Sequence, residues 1–111
     1  MPVSIDDAKW PIFVKDKRSR EIYLTEERWR HALDHPGMEE RLLDSVLLTL
    51  KVGGRKQEAL DPSKYKYRRR FEDLPEDYTH IVVVVKFGID PVDPSRENNF
   101  VLTAYLVKEY P

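Results

Sequence analysis

The chain has 111 residues, of which 41% are hydrophobic and 35% are charged, and it contains no cysteine. This length and composition predict one globular domain over residues 1–111, and they exclude disulfides and thiolate metal sites. The net charge of −1 argues against a protein that coats nucleic acid non-specifically. Residues 1–7 lack a signal-peptide pattern and the longest apolar run, residues 81–85, is too short to span a bilayer, so we expect a cytoplasmic protein.

The first elements in chain order are two short strands and a helix. Residues 12–14 and 22–24 are rich in β-branched and aromatic side chains and flank a charged turn, which predicts a hairpin or a pair of edge strands. Thr25 is a typical N-cap and two glutamates follow it, so a helix should begin there. It should end near Asp34, because Pro36 disfavours helical geometry in the residue before it.

A second, amphipathic helix is predicted from Met38 onward. Its apolar residues recur at the 3.6-residue spacing of one helix face, namely Leu42, Leu43, Val46, Leu47 and Leu50. The Gly53-Gly54 pair should end it.

The second half of the chain changes to strand composition. Residues 65–71, 80–87 and 100–107 are rich in aromatic and β-branched side chains, and their connections show no helical pattern, so they should form an antiparallel meander. Alternation in the last strand predicts that Thr103 and Tyr105 point to an open face. The alternate residues should face the core, namely Phe100, Leu102, Ala104 and Leu106. The predicted class is α+β, with the helices on one face of the sheet.

Two histidines, His31 and His35, lie about one helical turn apart on the face opposite Trp29. The imidazole group titrates near neutral pH, which makes it the usual general base in catalysis. The alternative is an ordinary solvated polar face. A zinc site is a weaker interpretation, because no third ligand follows in a recognisable pattern.

A dense run of cations occupies the predicted strand 65–71. Alternation places Lys66, Arg68 and Arg70 together on one face, while Arg69 shares the other face with the tyrosines. Such a row suits a phosphate group, especially through bidentate guanidinium contacts. Charge that protects a strand from edge pairing explains the run equally well. Lys86 either adds charge to the same face or is a solvated strand end.

Four short motifs, read in order, resemble a known family. They are TEERWRHA at residues 25–32, HP at 35–36, YRR at 67–69 and VLTAY at 101–105. They are similar to the phage-associated members of the barnase, EndoU, colicin and RelE-like (BECR) nuclease group, over residues 12–105. The resemblance implies N-terminal helices packed on one face of a four-stranded antiparallel sheet, with a ribonuclease site that needs neither metal nor cofactor. His31 matches the helix histidine, Arg68 or Arg69 the strand arginine, and Thr103 with Tyr105 the closing motif.

The leading prediction is therefore a toxin-like endoribonuclease that cleaves RNA through attack by the ribose 2′-hydroxyl. His31 would be the base, Arg68 and Arg69 would stabilise phosphoryl charge, and Thr103 with Tyr105 would orient the phosphate. Further substrate contacts are expected from His35, Lys66, Arg70 and Lys86, and an alternative role for His35 is that of the general acid or a supporting partner. The alternatives are a non-catalytic module that binds RNA or protein, and a toxin-like domain directed at a protein complex. A neutralising protein partner is a further expectation.

Overall fold

The structure is a computed structural model that describes residues 8–110. Over that range six strands form one mixed sheet in the order β1-β2-β6-β5-β4-β3. The strands are β1 (Ile12–Lys15), β2 (Glu21–Leu24), β3 (Gly54–Gln57), β4 (Lys64–Arg70), β5 (His80–Lys86) and β6 (Phe100–Val107). The helices are α1 (Glu26–Ala32) and α2 (Leu43–Val52), with short 3₁₀ turns at Glu40–Leu42 and Pro75–Asp77.

No helix within residues 8–110 has the length and apolar character needed to cross a membrane. Residues 1–7, to which the signal-peptide prediction applies, lie outside the described range.

The expected four-stranded antiparallel sheet with N-terminal helices on one face is wrong. The hairpin of β1 and β2 precedes both helices and joins the sheet through a parallel pairing of Tyr23 with Phe100, so the sheet is mixed. Strand β3 adds a further edge by pairing antiparallel with β4. Its sequence, GRKQ, contains no apolar side chain, so neither alternation nor composition indicates a strand there. The meander of β4, β5 and β6 is confirmed.

Both predicted helices exist, but each is shorter than expected. Thr25 caps α1 by accepting a hydrogen bond from the Arg28 amide at 3.2 Å, as predicted, and the helix ends at Ala32. The regular part of α2 begins only at Leu43, after a 3₁₀ turn, and ends ahead of Gly53. The main core lies between α2 and strands β1, β4 and β5, while α1 contacts β6.

The predicted core face of β6 is wrong at its start. A β-bulge shifts the register, so that Val84 pairs with Thr103 whereas Val85 pairs with Val101. The extra residue, Leu102, is half-buried, Phe100 is half-buried as well, and Val101 takes the core position. After the bulge Ala104 and Leu106 are buried, as expected.

The sheet therefore has two distinct sides at β4, β5 and β6. The core face carries Tyr67, Ile81, Val83 and Val85, all at most 1% exposed. The other side, here called the open face, carries Lys66, Arg68 and Arg70 with the residues paired to them in β5 and β6. Val82 lies on the open face and outside the core, yet it is only 5% exposed.

Candidate active site

The open face carries three transverse rows of side chains, set by the register of β4, β5 and β6. The rows are Lys66-Val84-Thr103, Arg68-Val82-Tyr105 and Arg70-His80-Val107. Residues paired in register point to the same side of a sheet, about 5 Å apart, while successive rows are separated by about 7 Å. Cations from β4 and hydroxyls from β6 therefore face each other across the apolar floor of β5.

His35 joins this face from the segment after α1. Its Nε2 lies 3.1 Å from the Thr103 Oγ1, and its ring centroid lies 5.8 Å from that of Tyr105. The backbone here packs closely against β6 and the residues before β5: Gly37 has a φ of +80°, and a Cβ at that position would lie 2.8 Å from the Tyr78 ring and 3.0 Å from the Leu106 side chain. The tight turn after α1 thus fixes the imidazole beside the two hydroxyls.

His31, the predicted base, occupies an outer position. It is exposed, and its ring meets that of His35 edge-on at a centroid separation of 6.1 Å. The histidine in contact with Thr103 and Tyr105 is therefore His35, for which the sequence predicted a role in substrate binding, as the general acid or as a supporting partner.

Tyr105 connects the histidines to the cations. The pKa of Lys66 is raised, chiefly by its hydrogen bond with Glu58 and then by the neighbouring Tyr105 hydroxyl. A cavity of about 200 Å³ opens at this point. It is lined by the three predicted residues Lys66, Arg68 and Tyr105, together with Lys56, Val82, Val107 and Glu109. Lys56 was not predicted, because it belongs to β3.

Four of the five predicted cations form ion pairs with acidic side chains, and the fifth, Arg69, lies on the other side of the sheet. Four ion pairs join Lys66 to Glu58 at 2.9 Å, Arg68 to Glu109, Arg70 to Glu72 at 3.1 Å, and Lys86 to Asp61 at 3.3 Å. Arg69 points to the side opposite Arg68, as alternation predicted, and its guanidinium lies 4.7 Å from the centre of the Phe71 ring. Arg69 therefore does not join the open-face residues. Exposed ion pairs are weak, so a phosphate can compete for these cations only at a modest cost.

A third histidine, His80, lies in the row of Arg70 on the same face. Its Nδ1 is 2.7 Å from the Thr79 hydroxyl, and its pKa is lowered, first by burial and then by the positive charge of Arg68. The sequence does not single out His80 as a functional group, because a histidine that begins a strand carries no distinctive spacing.

Three aromatic rings continue the open face beyond Lys86. Phe100 pairs in register with Lys86 on one side and with Tyr23 on the other, and Tyr23 pairs with Phe13. The ring centroids are 5.7 Å apart for Phe13 and Tyr23 and 5.9 Å apart for Tyr23 and Phe100. Phe13 is 57% exposed. The row was not predicted, since it depends on the parallel pairing of β2 with β6.

Among residues 8–110 there is no group of three or more His, Asp or Glu side chains placed to hold a metal ion. Metal independence stays a prediction for the proposed reaction.

In comparisons with known proteins, no protein-family model, curated protein or solved structure matches this chain. The resemblance to the BECR nuclease group therefore stays a prediction that depends on four short motifs.

Proposed function

We propose that this chain is a metal-independent endoribonuclease that acts on single-stranded RNA in the cytoplasm. One observation carries the proposal: His35 lies 3.1 Å from the Thr103 hydroxyl and against Tyr105, which shares a cavity with Lys66 and Arg68. A base, hydroxyl groups and cations thus form one continuous surface. These are the groups that cleavage through the 2′-hydroxyl requires.

His35 is the better candidate for the base in this arrangement. Because the Thr103 hydroxyl lies at hydrogen-bond distance from Nε2, a ribose 2′-hydroxyl can bind in its place. His35 takes the proton from that hydroxyl, its oxygen attacks the adjacent phosphorus, and the bond to the 5′-oxygen breaks. The departing oxygen receives a proton from His31, and the products are a 2′,3′-cyclic phosphate and a 5′-hydroxyl.

Lys66 and Arg68 supply the charge for the phosphoryl oxygens in this scheme. Each must exchange its own carboxylate, Glu58 or Glu109, for the substrate phosphate. Stabilisation of developing negative charge commonly makes the greatest single contribution to the rate of such reactions. Arg69, on the opposite side of β4, takes no part.

The aromatic row supports a single-stranded substrate. Unpaired bases stack on exposed aromatic rings, whereas bases in a duplex are not available for this contact. Phe13, Tyr23 and Phe100 lie on the same face as the cations, in line with Lys86. A strand of RNA can therefore stack bases on this row while its backbone runs toward Lys66 and Arg68.

A non-catalytic RNA-binding module is the second candidate, and the ion pairs favour it. Because Lys66 and Arg68 are both engaged by carboxylates, the face is less prepared for a transition-state phosphate than an active site with free cations would be. The two candidates share the binding surface and differ only in proton transfer.

The decisive comparison replaces each histidine separately. In excess chelator, we expect His35→Gln to lower the single-turnover cleavage rate of a single-stranded RNA by about 10²-fold or more, because a positioned base is lost. His31→Gln should lower it less, and Arg30→Gln, a matched change on the exposed side of α1, should leave it unchanged.

RNA affinity, measured in the same samples, should change little in the His35 variant. Wild-type protein that binds RNA saturably but produces no cleavage at pH 6 or pH 8 would establish the binding module instead. Activity that chelator abolishes and magnesium restores would contradict the histidine mechanism.

A further inference from the structure

A second concentration of cations lies away from the open face, around a cavity at the turn between β1 and β2. The cavity has a volume of about 340 Å³ and lies beside Gly53 and the buried Tyr67 ring. Four cationic side chains and one carboxylate complete its lining, namely Lys17, Arg18, Arg20, Arg55 and Asp16. This is a marked excess of positive charge in a chain whose net charge is −1.

Asp16, the single carboxylate that residues 8–110 contribute to this cavity, already has its hydrogen-bond partners. Asp16, whose side chain is 2% exposed, accepts hydrogen bonds from the amides of Arg18 and Arg20 on Oδ1. Its Oδ2 accepts from the Arg20 Nε and from the Tyr67 hydroxyl, both at 2.6 Å. Burial raises the pKa of Asp16, but the hydrogen bonds from Tyr67 and Arg20 outweigh it, so the pKa is lowered and the group stays ionised. Asp16 therefore fixes the turn and neutralises only Arg20.

The remaining cations have no acidic partner among residues 8–110. Lys17 and Arg18 are exposed on the turn and form no ion pair there. The Arg55 guanidinium lies 3.8 Å from the centre of the Tyr65 ring and 5.1 Å from that of Phe87, so its edge stays available to donate hydrogen bonds. Residues 8–110 thus provide no carboxylate partner for the cations at this cavity other than Arg20, namely Lys17, Arg18 and Arg55.

We propose that this turn cavity, lined by Lys17, Arg18, Arg20 and Arg55, binds a phosphate monoester. A dianionic phosphate supplies the charge that the cavity lacks and has enough oxygens to engage two guanidinium groups and an ammonium group. The rigid support of Arg20 by Asp16 and of Arg55 by the aromatic rings lowers the entropy lost on binding. The inference does not depend on the proposed ribonuclease activity.

A phosphate group of this kind has two possible sources. One is a free phosphate or a small phosphorylated molecule, and the other is the terminal phosphate of an RNA strand. Arg55 also lines the neighbouring cavity with Lys56, Lys66 and Arg68, so positive charge continues around β3 toward the open face. Titrations with inorganic phosphate and with matched 5′-phosphorylated and 5′-hydroxyl RNA oligonucleotides separate the two sources.

The test measures inorganic phosphate binding to the full chain at low ionic strength, by calorimetry and by amide shifts at Gly53. We expect saturable binding that Arg18→Gln combined with Lys17→Gln weakens by roughly tenfold or more, since the loss of even one charge-assisted contact is worth a factor of this order. Arg30→Gln combined with Lys51→Gln removes the same charge from exposed helical positions and should leave the affinity unchanged. Both residues replaced on the turn are exposed, so the fold should persist, and unchanged thermal unfolding checks this.

Arg55→Gln is the second variant, because it removes a cation from the opposite wall of the cavity, and it should weaken phosphate binding by a similar factor. If the wild-type chain prefers the 5′-phosphorylated RNA and the Lys17 and Arg18 changes abolish that preference, the phosphate comes from an RNA strand end. If the chain binds both RNAs equally and still binds inorganic phosphate, the ligand is a small molecule. Absence of saturable phosphate binding by the wild-type chain, or equal weakening by the control pair, would overturn the proposal.

Discussion

The open face and the turn cavity both concentrate cations, but they differ in how many of those cations have a carboxylate partner. On the open face Lys66 and Arg68 are held by Glu58 and Glu109. In the turn cavity the one carboxylate, Asp16, is used to fix the chain, and Arg18 has no acidic partner among residues 8–110. A run of basic residues in a sequence thus indicates charge density, whereas readiness to bind an anion depends on where the acidic residues lie after folding.

The contrast also separates two roles for an ion pair. The Asp16 carboxylate is buried and accepts hydrogen bonds from both Arg20 and the Tyr67 hydroxyl, so its removal leaves these donors unpaired and destabilises the fold. The pairs on the open face have both partners substantially exposed, so they restrain side chains that a ligand can still recruit.

The largest effect should follow from disrupting the turn cavity through Asp16→Ala. The change leaves the Arg20 guanidinium and the buried Tyr67 hydroxyl without their acceptor, and we expect a loss of about 3 kcal/mol in the free energy of unfolding at pH 7. Urea denaturation measures it, and Asp34→Ala, on an exposed turn, is the control.

The same variant has a defined pH dependence. Because folding lowers the pKa of Asp16, its stabilising contribution is present above the ordinary pKa of an aspartate and is lost as pH falls through the lower folded value. The difference in stability between wild type and Asp16→Ala should therefore be constant from pH 7 to pH 5 and shrink below about pH 4. A difference that grows on acidification would contradict the assignment.

A smaller effect should follow from removing the counter-charges of the open face. The combined change of Glu58→Gln and Glu109→Gln frees Lys66 and Arg68, and we expect single-stranded RNA to bind roughly tenfold more tightly at low salt. Filter binding over a range of salt concentrations measures the gain. Glu26→Gln combined with Glu39→Gln removes equal charge from exposed pairs outside the open face and should give a smaller, sequence-independent change.

An unchanged affinity in the Glu58 and Glu109 variant would mean that these cations do not contact RNA. The open face and the turn cavity would then differ only in how much their ion pairs contribute to stability.

Much of the fold could be predicted from local pattern, because the Thr25 cap, the apolar spacing of α2 and the strand composition of β4 to β6 are local signals. The mixed sheet could not, since the pairing of Tyr23 with Phe100 depends on contacts between residues far apart in the chain. Strand β3 carries no apolar residue, and the bulge at Leu102 leaves no mark in the sequence. These long-range features account for the errors in the predicted sheet and core.

In the candidate site, too, local patterns could be predicted from the sequence and long-range contacts could not. Alternation correctly placed Lys66 and Arg68 on the side of the sheet opposite Arg69. It also correctly placed Thr103 and Tyr105 on the side that carries Lys66 and Arg68. The spacing of His31 and His35 could not tell which imidazole reaches β6, because the turn at Gly37 decides it. Glu72 follows Arg70 by two residues, but Glu109 lies 41 residues from Arg68, so the sequence does not show that Arg68 is paired.

Cleavage of RNA through its 2′-hydroxyl by His35 and the open face is the central claim. The most direct measurement incubates the wild-type chain, in excess chelator, with a single-stranded RNA and with the same strand carrying one 2′-deoxy residue at the cleaved position, followed by mass analysis of the product ends. We predict a 2′,3′-cyclic phosphate from the RNA, no cleavage at the 2′-deoxy position, and loss of the product in His35→Gln. Cleavage of both strands at similar rates, or cyclic phosphate formed equally well by His35→Gln, would contradict the claim.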